Sequence, residues 1–541
     1  MSRSPDLDRD DLSSGSIDDD ERQGLYIDEG KPANSSRGHH RSRSVSHNFQ
    51  WLFRRLPNLR GAQRRTIVIG AIIAIVSLAI VVELVHVNSY RGTPPPTPPP
   101  TEVVEEAKPP PIDHNKQCTT WPVDESGNYN STVDYSKYDL KLDTIAPQGG
   151  WKKPAGVNVV GLIFFGRRRT VDLLDCYLQQ NLASNGGYLD KVLFLLHTRD
   201  ETDRAFLKDL LAKRPDYEMV NPGECDGQDF SCMWDMFTED DTIYIKIDDD
   251  IAFIHHDAIP QIVHTRLAEP HPLAISANLV NSPLTGTFHT LFGAMWPFLP
   301  DYSMKPSFKA AETWRPSEKP YYPANKNANF KEQDLVDLHA PYDGHTWLQV
   351  SDDHSFDIQK TPMGMSWNND AGGETHHFTT AWRSWAVAAQ QHYALFRNLE
   401  LNRVSQYFFG RKIHWKATEE NLKVLGSHVQ TDPKLPGGEQ LYDTQYKRYN
   451  LNFIAIWGHD VKAIVPLSTD DEQDITVTRP RELHRPFVID TRVIVAHLSF
   501  YTQHNGIKTT DILDRWRAFA NEMVCTPQNR KTPFDERCPG F

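Results

Sequence analysis

Cysteine and basic residues are both scarce in this chain. Six cysteines in 541 residues exclude a small scaffold held together by a dense set of disulfides. The 58 lysines and arginines are outnumbered by 71 aspartates and glutamates, so the formal net charge is −13. Binding along a phosphate backbone needs a basic surplus, and we therefore expect no nucleic-acid partner.

Long hydrophobic runs are nearly absent as well, because only one stretch is suited to crossing a bilayer. Residues 66–82 carry no charge, and residues 83–87 can extend the same helix, at about 1.5 Å per residue, across the hydrocarbon core. Arginines are frequent before this stretch and rare after it, which by the positive-inside rule places the N-terminus in the cytosol. The sequence thus predicts a type II signal-anchor at residues 66–87.

The segments on either side of this predicted span have compositions that do not favour a packed core. Residues 1–65 begin with a stretch rich in Ser, Asp and Arg that has almost no apolar periodicity, and they predict a disordered cytosolic tail. Residues 88–150 contain a proline-rich run and predict a semi-rigid stem in the lumen. The globular region is then expected to occupy residues 151–541.

All six cysteines follow the predicted span, in a compartment where disulfides persist. Close spacing suggests two local pairs and leaves a third pair as the remainder: Cys225–Cys232, Cys525–Cys538 and Cys118–Cys176. Spacing alone leaves the connectivity open.

The globular region opens with an alternation of two kinds of segment. Apolar runs typical of strands covered on both faces lie at residues 157–165, 191–197, 217–220 and 242–247. Segments that favour helices lie between them, at residues 170–185, 201–213 and 230–237. This order predicts an α/β fold with a largely parallel sheet and right-handed crossovers.

Three consecutive aspartates follow the fourth predicted strand. Asp248, Asp249 and Asp250 stand between the apolar runs 242–247 and 251–254. Ligands of open α/β sheets bind beyond the carboxyl ends of the strands, and adjacent carboxylates there repel one another unless a cation compensates. Asp248 and Asp250 can bind a hard divalent ion that is shared with substrate phosphates. The alternative is a solvated acidic turn, and the apolar flanks argue against it.

Residues 241–254 resemble the DxD motif region of glycosyltransferases with the GT-A fold. The phrase YIKIDDDI within this segment resembles the β-1,3-galactosyltransferase superfamily, and the overall layout is similar to that of fungal Golgi galactofuranosyltransferases. The resemblance covers residues 155–300. It implies a Golgi membrane protein with a luminal, Rossmann-like GT-A catalytic domain, whose nucleotide-sugar half is residues 151–300 and whose acceptor half is residues 301–541.

The resemblance also implies which residues meet the donor. Mn²⁺ or Mg²⁺ held by Asp248 and Asp250 would neutralise charge on the diphosphate of a nucleotide-sugar, which we expect to be UDP-linked. The other residues expected at the nucleotide are Phe165, Gly166, Arg167, Asp200 and Asp249. Arg167–Arg169 would bring positive charge to the phosphates, and His197–Asp200 follow the second predicted strand.

A third metal ligand is expected late in the chain, since GT-A enzymes often use a histidine there. His497 lies in an apolar, strand-like run that begins at Val493. A histidine in such a run is commonly a core residue, but the need for a third ligand favours the metal role. The histidine doublets at residues 255–256 and 376–377 are the alternatives.

An inverting transfer needs a carboxylate that takes the proton of the acceptor hydroxyl. Asp471 and Glu472 are the first candidates, and they follow the strand-like residues 461–467. Asp370 and Glu374 are the alternatives, in a segment whose glycines would let the backbone approach a sugar closely. A retaining enzyme would need no such base, and the sequence leaves the stereochemistry open.

Tryptophans supply a further candidate contact with sugars, because aromatic rings pack well against the C–H face of a sugar ring. Trp367, Trp382 and Trp385 are suited to such stacking. The helical spacing of apolar residues from 382 to 396 favours core packing for part of this set.

These features predict an enzyme that moves galactofuranose or galactose from a nucleotide-sugar to a glycan or glycoprotein acceptor. Its partners would be this donor, the acceptor and the Golgi membrane. Two alternatives remain at this stage: a luminal metal-dependent phosphoesterase, and a non-catalytic, membrane-tethered glycan-binding protein.

Overall fold

The part of the chain that a computed structural model describes comprises residues 139–222, 230–237, 239–301, 313–323, 346–353, 355–368, 379–413, 415 and 437–531. None of the helices within these ranges has the length and apolar character needed to cross a membrane. The predicted tail at residues 1–65 and the predicted span at residues 66–87 lie outside the described residues.

A large mixed sheet organises the described residues. The strands in chain order are β1 (Asn158–Phe165), β2 (Lys191–Leu196), β3 (Tyr217–Val220), β4 (Thr242–Asp248), β5 (Ile251–Ile254), β6 (Ala274–Val280), β7 (Phe298–Pro300), β8 (Trp347–Gln349), β9 (Leu441–Asp443), β10 (Phe453–Trp457) and β11 (Phe487–His497). The strand order of the large sheet is β3-β2-β1-β4-β10-β6-β11-β5, with β9 also paired to β11, while β7 and β8 form a separate pair.

Helices flank this sheet. In chain order they are α1 (Val171–Asn181), α2 (Glu201–Ala212), α3 (Ala258–Ala268), α4 (Pro283–Leu291), α5 (Pro362–Asn368), α6 (Thr379–Arg383), α7 (Trp385–Glu400), α8 (Gly458–Ile464), α9 (Asp471–Gln473), α10 (Arg479–Leu483), α11 (Tyr501–Ile507) and α12 (Ile512–Met523). Helix α3 packs on β6, β10 and β11, and α1 packs on β5 and α12.

The direction of the strands places the carboxyl ends of most of them at one edge. Strands β3, β2, β1 and β4 are mutually parallel. Strand β10 is antiparallel to both β4 and β6, and β11 is parallel to β6, so β6 and β11 run in the same direction as β4. The four strands predicted between residues 157 and 247 are confirmed, and the fold is α/β with helices around a curled sheet.

Strands β1 and β4 lie inside the sheet and are covered on both faces. Every residue of β1 after Asn158 is buried, and so are Thr242 to Ile247 of β4. The one charged side chain in this buried stretch of β4 is Lys246. Because apolar residues surround it, Lys246 must find its hydrogen bonds at the end of the strand, where the aspartates lie.

The strand-like interpretation of residues 461–467 is wrong. Helix α8 (Gly458–Ile464) covers most of this stretch, and the strand is the preceding β10. The buried residues of α8 are Gly458, Asp460, Val461 and Ile464, which is the spacing of one helical face. Helix and strand are hard to separate by pattern in so short an apolar run.

A disulfide joins Cys176 of α1 to Cys525, which follows α12. The suggested pairs Cys525–Cys538 and Cys118–Cys176 are therefore wrong. Local spacing misled because α1 and α12 pack together although 349 residues separate the two cysteines. Cys232 is also disulfide-bonded, and its partner lies outside the described residues.

Asp257 fastens the start of the described chain to the globular unit. Its buried carboxylate accepts hydrogen bonds from Thr144 Oγ1 at 2.9 Å, from the Ile145 backbone N–H at 2.8 Å and from Trp151 Nε1 at 2.6 Å. The last residues of the predicted stem are thus packed on the residue that precedes α3.

Candidate active site

The candidate site lies at the edge of the sheet where β1, β4 and β11 end. Asp248 is the last residue of β4, and β1 and β4 are paired from Asn158–Thr242 to Phe164–Asp248. His497 is the last residue of β11 and pairs with Ile251, directly after the three aspartates. Strand pairing thus brings residues from the early and late parts of the chain together.

Asp249 holds the turn that follows β1. Its Oδ2 accepts hydrogen bonds from the backbone N–H groups of Gly166 at 2.8 Å and Arg167 at 2.7 Å, and its Oδ1 accepts one from Arg167 Nη2 at 2.8 Å. The Thr170 hydroxyl donates to its backbone carbonyl. Burial raises the pKa of Asp249, an effect that Arg167 opposes. Asp249 therefore shapes the turn after β1 through these bonds.

Asp250 and His497 form the charged centre of the site. His497 Nε2 lies 3.1 Å from Asp250 Oδ2, and Arg167 Nη2 donates to the same oxygen at 3.2 Å. Burial alone would raise the pKa of Asp250, but His497, Arg167 and Arg169 outweigh burial and lower it. Burial would lower the pKa of His497, and Asp250 reverses that and raises it. Each of the two residues thus favours the charged form of the other.

One oxygen of Asp250 is free to bind a cation. Asp250 Oδ1 is buried and accepts no hydrogen bond from any described residue. An ionised buried oxygen without a donor is costly, so the geometry favours a positive ligand at this atom. Carboxylate oxygens such as Asp250 Oδ1 suit Mn²⁺ and Mg²⁺. The residues present therefore fit a divalent cation.

Asp248 lies beside this centre but faces protein partners. Lys246 Nζ donates to its Oδ1 and also donates at 3.0 Å to the Leu451 carbonyl, and Asn452 Nδ2 donates to its Oδ2 at 2.8 Å. About a quarter of the Asp248 side chain is exposed. An ion shared by Asp248 and Asp250 would require Asp248 to exchange one of these bonds for the ion.

One further cationic side chain, that of Arg169, acts on Asp250. Arg169 is buried, and its Nη1 contacts the His504 ring of α11, so His504 must accept and be neutral on that side. Burial, followed by Arg169, Arg167 and Lys508, lowers the pKa of His504. Arg167 is thus bonded to Asp249 and Asp250, whereas Arg169 contacts His504 and Arg168 pairs with Asp203.

Asp471 and Glu472 have different surroundings although they are adjacent. Asp471 Oδ2 accepts a hydrogen bond from Trp234 Nε1 at 2.9 Å. Burial raises its pKa, an effect that the charge of Lys246 opposes. Trp234, its hydrogen-bond donor, packs against Phe164, which pairs with Asp248 at the end of β4. Glu472 instead accepts from Arg448 Nε at 2.7 Å. Asp471 therefore lies on the side of the aspartates, whereas Glu472 forms an ion pair with Arg448.

Two of the residues predicted near the nucleotide, Phe165 and Asp200, make contacts that support the fold. Phe165 is fully buried and packs against Phe194, so its side chain belongs to the core. Asp200 accepts from the backbone N–H groups of Thr202 and Asp203 and so caps α2. These bonds, led by that from Asp203, lower the pKa of Asp200.

A ring pair at the ends of β1 and β2 was not predicted. His197 follows β2, and its ring centroid lies 4.7 Å from that of Phe230, which also stacks on Phe164. Both rings are half-buried at the carboxyl edge, where a planar base can bind. The sequence signal was the position of His197 at a strand end, but its aromatic partner is distant in the chain.

The alternative residues for proton transfer and metal binding form two groups. Asp370, Glu374 and the doublet at residues 376–377 lie outside the described residues. His255, His256 and Asp257 bring three ligand atoms within 4.8 Å of one another, and this is the one such group among the described residues. The Asp257 carboxylate, however, already accepts three hydrogen bonds that fasten residues 144–151. This group is therefore a structural anchor.

Comparison of the chain with protein-family models and with the curated proteins gave no match. The geometry of the carboxyl edge therefore carries the functional conclusion.

Proposed function

We propose that this protein is a divalent-metal-dependent glycosyltransferase of the GT-A type, anchored in the Golgi membrane with its catalytic domain in the lumen. The observation that carries the proposal is the buried Oδ1 of Asp250, which has no hydrogen-bond donor among the described residues and lies beside His497 at the carboxyl edge of a mostly parallel sheet. The donor would be a nucleotide-sugar, with UDP as the nucleotide and galactofuranose or galactose as the sugar.

The mixture of charges favours a diphosphate ligand over a metal ion alone. Asp248 and Asp250 supply negative charge for a cation, while Arg167 and Arg169 place positive charge next to them. A cation with a bound phosphate would offer a partner to both sets at once, which neither ligand does alone. When bound, the divalent ion would supply Lewis-acid stabilisation to the leaving diphosphate.

Asp471 is the residue we assign to proton transfer in an inverting reaction. An acceptor hydroxyl oxygen forms a bond to the anomeric carbon, and the bond from that carbon to the diphosphate oxygen breaks with its electron pair. The hydroxyl proton passes to Asp471, which accepts it more readily because burial raises the pKa of this carboxyl. Arg167 and Arg169 hold the departing phosphate oxygens.

A donor screen tests the proposal. The full-length chain, purified in detergent, would be incubated with Mn²⁺ and UDP-galactofuranose, UDP-galactose or other UDP-sugars, and UDP release would be measured. We expect release with at least one donor, its loss in EDTA, and a fall of about 100-fold or more for Asp250→Asn.

A matched control uses Asp241, which is exposed near the other end of β4. Asp241→Asn should release UDP at the wild-type rate. The absence of UDP release from every donor, or equal rates for Asp250→Asn and wild type, would contradict the proposal. Release of phosphate from simple phosphate esters without UDP release would indicate a phosphoesterase instead.

A further inference from the structure

An aromatic pair lies between α6 and α11, apart from the residues of the candidate site. Trp382 at the end of α6 and Tyr501 at the start of α11 are both half-buried, with ring centroids 5.9 Å apart. Their neighbour Trp385 is almost completely buried in the core. The structure thus separates two tryptophans that the sequence pattern grouped together.

The position of α11 connects this pair to the aspartates. Phe500, directly before α11, packs its ring 4.6 Å from that of His497. Tyr501 and His504 are three residues apart on α11 and therefore share one side of the helix, about 5 Å apart along its axis. His504 contacts Arg169, whose charge acts on Asp250. The aromatic pair therefore shares α11 with the histidine that contacts Arg169.

Buried hydrogen bonds fix the two elements that carry the pair. Gln503 Oε1 accepts from Asn281 Nδ2 at 2.9 Å, and Gln503 Nε2 donates to the Ala381 carbonyl at 3.1 Å. The Thr502 hydroxyl donates to the Trp382 carbonyl at 2.8 Å. These bonds join the end of β6, α6 and α11, so the position of the rings is set by the same elements that form the site.

The packing of α11 leaves no freedom in its register. Gly506 lies directly on the Trp385 ring, and a Cβ at Gly506 would lie 2.1 Å from Trp385 Cγ. Helix α11 therefore rests on α7 through Gly506 and presents Tyr501 toward Trp382. A pre-organised aromatic surface of this kind binds with little loss of side-chain entropy.

We propose that Trp382 and Tyr501 form the subsite that binds the acceptor sugar, with Trp382 stacking against a C–H face of its ring. The assignment rests on the proposed function, because the acceptor must lie next to the donor sugar for the hydroxyl to reach the anomeric carbon. Aromatic rings pack well against the C–H faces of sugars. The Arg383 guanidinium lies over one face of the Trp382 ring, 5.0 Å from its centroid, and the sugar would stack on the other face.

The test separates sugar binding from donor turnover. Methyl glycosides of galactose, mannose and N-acetylglucosamine would be the binding probes. Saturation-transfer NMR would detect their binding to the full-length chain. We expect transfer to the ring protons of at least one glycoside, a loss of about tenfold in affinity for Trp382→Ala, and recovery for Trp382→Phe. Phe292→Ala removes another aromatic ring, which is about half exposed at 52%, and should bind as wild type does.

Enzyme assays supply the second readout. Transfer to the bound glycoside should fall in Trp382→Ala at least as much as affinity does, whereas Phe292→Ala should transfer at the wild-type rate. If no glycoside binds, or if Trp382→Ala binds as well as wild type, the subsite assignment is wrong. Glycoside binding that depends on Trp382 in a protein without UDP release would contradict the proposed transferase activity and leave the sugar-binding site standing.

Discussion

The three aspartates have three separate tasks, and side-chain contacts decide which is which. Asp249 accepts hydrogen bonds from the turn after β1, and Asp248 accepts them from Lys246 and Asn452. Of the three, only Asp250 has a buried oxygen without a donor among the described residues. Acidic residues next to one another in sequence point to different sides of the backbone at a strand end, and so they meet different neighbours. The cation-binding role of the motif therefore depends most on Asp250.

The adjacent carboxylates Asp471 and Glu472 give a matched test of the proton-transfer role. We expect Asp471→Asn to lower the rate of sugar transfer by about 100-fold or more, because a general base contributes on this order. Glu472→Gln should lose the ion pair with Arg448 and leave the rate within a few-fold of wild type. Steady-state kinetics with the best donor, together with calorimetry of UDP and Mn²⁺ binding, would measure both effects. Equal kcat values for Asp471→Asn and wild type would exclude Asp471 as the base.

How far the site could be predicted depends on the origin of each residue. Asp248 and Asp250 were predictable because an acidic triplet between two apolar runs must lie at a strand end. His497 was predictable as a residue of a late strand, and β11 indeed ends beside Asp250. The contact of Trp234 with Asp471 and that of His197 with Phe230 were not predictable, because each joins segments whose approach depends on tertiary packing.

At the scale of elements, long-range pairing decides what local pattern cannot. The apolar runs of β1, β2 and β4 can be recognised as strands in the sequence, because strands covered on both faces are continuously hydrophobic. Strand β10 lies antiparallel between β4 and β6 although it follows them by more than a hundred residues in the numbering. No local signal specifies such an insertion, and for the same reason the pairing of Cys176 with Cys525 was missed.

The disulfide between α1 and the residues after α12 should contribute strongly to stability. Replacing both Cys176 and Cys525 by alanine frees a very long loop of the unfolded chain, and we expect a loss of about 2–4 kcal/mol in the free energy of unfolding. Thermal unfolding of the double variant, compared with wild type under non-reducing conditions, measures this loss. An unchanged melting temperature would mean that the packing of α1 on α12 holds these elements without the bond.

The anchor at Asp257 should control the docking of residues 144–151. In Asp257→Asn, an amide N–H would replace one of the acceptor oxygens, so we expect a loss on the order of 2–3 kcal/mol and faster hydrogen exchange at Ile145. Asp143→Asn is the control, because Asp143 is exposed and bonds Asn402 on the surface. It should change stability by less than about 0.5 kcal/mol. Exchange at Ile145 as slow as in wild type would show that Asp257 is not the anchor.

At the scale of the whole molecule, buried histidines make the fold sensitive to acid. Burial lowers the pKa of His289 to about 3, and burial followed by the charge of His256 lowers that of His255 to about 3. Asp175 also responds to acid: burial opposes Arg214 and Lys531, which prevail and lower its pKa to about 2. Its contribution is lost only as the pH falls below about 4, toward its folded pKa, so the histidines dominate at milder acidity.

His289 gives this sensitivity a direct test. The unfolded chain binds a proton at this residue below pH about 6.5, while the folded protein does not bind it until pH about 3. Stability should therefore fall by about 1.4 kcal/mol per pH unit between these values for this one residue.

His289→Gln keeps a donor toward Asn278 Oδ1, which His289 Nε2 contacts at 2.7 Å, and removes the titration. We expect this variant to lose about 2 kcal/mol less than wild type between pH 6.5 and pH 5.0, as measured by denaturant unfolding. His484→Asn changes an exposed histidine whose positive φ of 51° asparagine tolerates, and it should keep the wild-type dependence on pH. If His289→Gln and wild type lose stability in parallel on acidification, the proton that unfolds the protein binds elsewhere.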